Sequence, residues 1–175
     1  MALGDRHSTW ALHGEPRIAY SGAPEVTSHE ETDPGNVLLV EVADGRTTTT
    51  PVRVGRWAFT REQAQVDADD DLAALDARLA AVPSPERTAL RLTCEGTVTL
   101  RQRTRLDEIT EAHAPVFGAL EVDTAALVTR PDDADVEALG LTGFAADTAR
   151  ELATAEDDPE ALDALALLHR LAATR

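Results

Sequence analysis

The chain has 175 residues, 43% of them apolar, enough to bury a core as one domain or one and a half. It carries 32 acidic residues against 16 basic ones, all of them Arg; the net charge of −16 argues against non-specific nucleic-acid binding by the surface as a whole. No run approaches the roughly 20 apolar residues that span a membrane, and no secretory leader is expected; the single Cys94 excludes an internal disulfide and points to a reducing, cytoplasmic setting.

The first 60 residues read as strands and turns. Ala2 and Leu3 look like the tail of a strand, 17–21 and 37–43 are short β-type runs, and DPGN (33–36) and ADG (43–45) supply turns. RTTTTPVRV (46–54) is β-rich, with Pro51 marking an edge strand, and RWAF (56–59) is one more short strand with its aromatics in a core. A helix is expected over 67–82, with Leu72, Leu75, Leu79 and Val82 on one face behind an Asp-rich first turn. PSPE (83–86) ends it. In 87–96, Thr88, Leu90, Leu92 and Cys94 alternate with outward residues, a half-buried strand with an inert, buried thiol. A second helix over 100–113 carries Leu106, Ile109 and His113, and GALEVD (118–123) is a partner strand. The remainder is helical, with Phe144, Thr148 and Leu152 on one face and Leu162, Leu165 and His169 on another. The fold class is α+β, in three parts: 1–62, an α/β segment 63–130, and helices over 131–175.

Two short motifs carry chemistry. Gly4-Asp5-Arg6-His7 sets a carboxylate and an imidazole two residues apart, so an extended loop can turn both toward one site. Tyr20-Ser21-Gly22-Ala23-Pro24 follows as a turn. Together they resemble the end of the calcineurin-like metallophosphoesterase domain, in its SbcD-type DNA repair exonuclease branch, where a Gly-His-x-His motif precedes a Tyr-x-Gly-Ser-Pro turn. The resemblance implies the terminal strands of the family's β-sandwich, a small α/β capping domain and C-terminal helices. It places His7 and Asp5 as ligands of a divalent metal, Mn2+, in a two-metal site that hydrolyses phosphodiester bonds, with Tyr20, Ser21, Gly22 and Pro24 shaping the turn beside it. Asp5 stands where the family has a histidine. Apart from Asp5-Arg6-His7 itself, the family's Asp-x-His, Gly-Asp-x-x-Asp and Gly-Asn-His motifs do not occur here. A C-terminal fragment, inactive alone, is therefore expected. By the same resemblance the intact enzyme acts on DNA, pairs with an SMC-like ATPase and forms a homodimer.

Against the acidic background, 87–105 holds five Arg and one acid, Glu95. Arg91, Arg101, Arg103 and Arg105 are the candidate DNA contacts, since guanidinium pairs bidentately with phosphate. The alternative is a non-catalytic capping module that binds DNA or the ATPase partner. His13 and His29, in polar loops, are expected to be solvated; His113 and His169, closing apolar faces, are expected to be packed and hydrogen-bonded.

Overall fold

The opening strands build two small sheets. In the computed structural model, which describes residues 2–12, 15–138, 140–155 and 158–173, β1 (Ala2–Leu3) pairs parallel with β3 (Glu15–Tyr20). β2 (Trp10–Leu12) pairs antiparallel with the other side of β3. Trp10 stands opposite Tyr20, their rings 6.1 Å apart and tilted by 58°, a cross-strand aromatic pair of the kind that adds about 0.5–1 kcal/mol.

β4 (Asn36–Ala43) and β5 (Arg46–Arg53) form an antiparallel hairpin, in register from Asn36↔Arg53 to Ala43↔Arg46. Its two-residue loop, Asp44-Gly45, has φ of 50° and 72°, the primed turn whose twist matches a hairpin. Pro51 sits in β5, where each strand of a two-stranded sheet is an edge, as expected. Both faces of the hairpin carry exposed apolar side chains: Val37, Leu39 and Val52 on one, Val40 and Val42 on the other.

The chain divides into two compact units. Met1–Arg61, Ser84–Arg91 and Phe117–Glu121 form the first; Glu62–Pro83, Leu92–Val116 and Val122–Arg175 form the second. A third sheet has the order β6 (Ala58–Gln65), β7 (Thr88–Val98), β8 (Ala119–Thr129). The first residues of all three strands line one cleft, so the strands run in the same direction, with α1 (Asp69–Ala80) and α2 (Leu100–His113) in the two crossovers. The strand expected at 56–59 begins only at Ala58 and continues to Gln65. Arg56 and Trp57 are held outside the ladder because their amides donate to Glu25, at 2.9 and 3.1 Å. β8 likewise runs six residues beyond the expected 118–123.

In the second unit Leu72, Leu75 and Leu79 are buried in α1, and Leu106 and Ile109 in α2, as the spacing predicts, while Val82, expected on the α1 face, lies beyond the helix end. Each buried side chain contributes about 1.5–3 kcal/mol by leaving water. Thr99 and Gln102 cap α2 reciprocally, the Gln102 amide donating to Thr99 Oγ1 at 3.2 Å and the Thr99 amide to Gln102 Oε1 at 3.0 Å. On β7, Leu92 and Cys94 are buried while Glu95 is exposed, as alternation requires. Burial is the main effect raising the Cys94 thiol above its ordinary pKa, in keeping with an inert core thiol.

The C-terminal part is helical: α3 (Asp133–Ala138), α4 (Phe144–Thr154) and α5 (Pro159–Ala173). Leu165 of α5 and Ala149 of α4 are buried against Leu100 of α2, with Leu152 and Ala153 beside them. Phe144 is not on this face but 87% exposed. It lies five positions from Ala149, about 140° around the helix; of the expected 144–148–152 stripe, Leu152 packs and Thr148 is half-buried, and Phe144 alone is off the face. The side chain of His169 lies outside the described residues. No helix among the described residues is long and apolar enough to cross a membrane.

Candidate functional site

The two motifs singled out in the sequence meet in the first unit. The Ala23 amide donates to the His7 carbonyl at 2.8 Å, so the 20–24 turn is tied directly to the 4–7 loop. Gly22 makes this approach possible: its φ is +79°, and a Cβ there would lie 2.7 Å from the His7 carbonyl oxygen. Thr9 Oγ1 donates to the Ser21 carbonyl at 3.0 Å, and Asn36 Nδ2 donates to Thr9 Oγ1 at 3.2 Å. The Thr32 amide closes the other side, donating to Ser8 Oγ at 2.9 Å.

His7 is oriented by two residues the sequence did not single out. Its Nδ1 lies 2.7 Å from Thr27 Oγ1 and 2.9 Å from Glu31 Oε1. A carboxylate only accepts, so Nδ1 carries a proton, and Nε2 makes no hydrogen bond among the described residues. The Glu31 side chain is 7% exposed and that of His7 59% exposed, so a buried carboxylate aims an accessible imidazole. Glu31 also accepts from the Thr27 amide at 3.0 Å and from the Thr27 hydroxyl. Asp5 is exposed on the same loop.

Burial pushes the Glu31 carboxyl up, but hydrogen bonds from the Thr27 hydroxyl and amide and from His7 outweigh it and hold the group below its ordinary value of 4.5. A carboxyl depressed in the fold stabilises above its unfolded pKa, and that contribution disappears as pH falls through the folded value. In denaturant titrations taken below pH 4.5, the native chain is expected to lose stability more steeply than Glu31→Gln. Parallel pH profiles would show that Glu31 contributes nothing through its charge.

The four candidate arginines are all paired. Arg91 Nε lies 2.9 Å from Glu121 Oε2, Arg101 Nη2 3.5 Å from Asp69, and Arg105 Nη1 3.1 Å from Glu108. Arg103 Nε lies 3.3 Å from Asp107, and its Nη2 donates to Thr124 Oγ1 at 3.2 Å. Helical geometry brings Arg101 and Arg105 to one groove along α1, with Asp69 and Asp76, and sends Arg103 elsewhere. Arg91 belongs to the first unit and the other three to the second. The N-terminus of α2 is filled by a carboxylate: Asp135, 3% exposed, accepts from the Leu100 and Arg101 amides at 2.9 and 3.1 Å.

Two histidine expectations resolve differently. His113 Nε2 lies 2.8 Å from Asp76 Oδ1, packed and hydrogen-bonded as expected. His29 is not simply solvated: it is half-buried, its Nε2 3.2 Å from the Ala89 carbonyl and its ring 5.0 Å from that of Phe59, because the 27–30 loop folds over the first residues of β6 and β7. His13 lies outside the described residues. Among the described residues, no group of three or more His, Cys, Asp and Glu is arranged to hold a metal ion. Asp5 and His7 are two donor side chains on one loop, fewer than such a group requires. In comparisons with known proteins, no family model and no curated protein matches the chain.

Proposed function

We propose that the chain is the C-terminal part of a metal-dependent phosphodiesterase of the calcineurin-like class, a DNA repair exonuclease in its intact form. The observation that carries this reading is the support of His7. A histidine whose Nδ1–H is held by a buried carboxylate, on a side chain that is itself exposed, is the usual arrangement of a metal-ligating imidazole. Asp5 and His7 would contribute two donors to the ions, Mn2+ by the family resemblance. When bound, such ions supply charge neutralisation at the phosphodiester and a hydroxide nucleophile at neutral pH. The remaining donors must come from outside these residues, so the chain alone is inactive as a nuclease. The α/β segment is its capping domain, and phosphate contact would require its arginines to exchange their carboxylate partners.

The second reading, a capping module that binds DNA or an SMC-like ATPase without doing chemistry, is favoured by the apolar residues left exposed on α5. Leu167 is 51% and Leu171 60% exposed.

Mn2+ titration followed by the electron paramagnetic resonance of the free ion separates the two. The native chain is expected to take up Mn2+ that the Asp5→Ala, His7→Ala double variant does not; the acidic surface gives both the same background. Equal uptake by both proteins removes the metal reading and leaves the capping module.

A further inference from the structure

The loop that supports His7 also walls an open cleft of about 420 Å³, bordered by residues 27–30 and the first residues of β6, β7 and β8, all within the first unit. That volume lies in the range of small-ligand sites. His29 and Phe59 give it an aromatic side, with the imidazole fixed on the Ala89 carbonyl. Arg91 and Glu121, paired at 2.9 Å, stand on the opposite strands, and Glu30, paired with Arg61, stands on the loop.

These charges discriminate among ligands. A phosphate group entering the cleft meets the carboxylates of Glu30 and Glu121, and a cation meets the Arg91 guanidinium. A neutral planar ring with donors and acceptors along one edge satisfies both kinds of group and stacks on the aromatic side.

We propose that this cleft seats a nucleobase, guanine in preference to the others. Along one edge, guanine O6 accepts from Arg91 while its N1–H and N2 amino group donate to Glu121, and its ring stacks on Phe59. The inference rests on the phosphodiesterase reading for its source of nucleotides. It also places the base: Thr27 lines the cleft, and its Oγ1 lies 2.7 Å from His7 Nδ1, so the base site and the candidate metal loop share a residue.

The test is titration of the native chain with 2′-deoxyguanosine 5′-monophosphate, followed by amide NMR shifts, without metal. Saturable shifts are expected at residues 27–30 and 89–91, with thymidine monophosphate binding more weakly and inorganic phosphate producing no such shifts. Phe59→Leu keeps apolar bulk and is expected to weaken binding roughly tenfold through lost stacking. Arg91→Gln is expected to abolish the preference for guanine. Because the titration contains no metal, failure of the metal reading leaves this result standing. The proposal is overturned if millimolar nucleotide gives no saturable shifts, if inorganic phosphate gives the same ones, or if a folded Phe59→Leu protein binds undiminished.

Discussion

Gly22→Ala is expected to unlatch the candidate metal loop and destabilise the first unit by about 2–4 kcal/mol. The left-handed conformation itself costs an L-residue roughly 1–2 kcal/mol. The new Cβ would stand 2.7 Å from the His7 carbonyl and 3.0 Å from the Thr9 amide nitrogen, both backbone atoms that no rotamer change can move. The loop must open, and the Ala23–His7 hydrogen bond goes with it. Trp10 and Trp57 both belong to this unit, so denaturant melts followed by tryptophan fluorescence read the loss directly. Mn2+ uptake should fall at least about tenfold, the usual cost of disturbing the support of a metal-ligating histidine. A wild-type melting curve would remove the latch. A destabilised variant with unchanged Mn2+ uptake would keep the latch and detach it from metal binding.

The second large effect is expected at Asp135. Its buried carboxylate accepts from the amides of Leu100, Arg101 and Asp132, while its own amide donates to Asp132 Oδ1 at 2.7 Å. Asp135→Ala leaves the buried first turn of α2 without acceptors at the place where Leu165 and Ala149 pack on Leu100. A loss of about 2–4 kcal/mol follows from a missing helix cap and stranded amide donors. Asp135→Asn should be nearly as damaging, because its NH2 group faces an amide donor where an oxygen is required. Far-UV circular dichroism is the appropriate probe, since neither tryptophan lies in this unit. If both variants melt like the native chain, the cap holds nothing together.

The parts of the fold legible in the sequence were those set by local periodicity. Leu72, Leu75 and Leu79 announced α1 because one face of a helix must be apolar, and Leu90, Leu92 and Cys94 announced β7 because a strand alternates. β6 was misplaced for the opposite reason: AFTREQAQ buries only Ala64 and so has no alternating signal. In the site, Asp5, His7 and the Gly22 turn were visible as short motifs of unusual composition. Glu31 was not, since its partner is 24 residues away and TSHEETD reads as an ordinary polar loop. Asp135 was half visible. Asp132 and Asp135 have the spacing of a reciprocal helix cap, but nothing local says that the same carboxylate also closes a helix 35 residues earlier. The arginines illustrate the converse. A run of alternating charges looked like one track, yet in a helix residues two apart point to opposite sides.

The β4–β5 hairpin has one further implication, for how its strands find each other. Most strands are held in alignment because sliding by one residue would turn their apolar side chains outward. Here Val37 and Leu39 would exchange places with Val40 and Val42, and all four are already exposed, so burial does little to hold the register. The alignment of sixteen residues is therefore delegated to two, Asp44 and Gly45, whose paired positive φ angles admit one way of folding back.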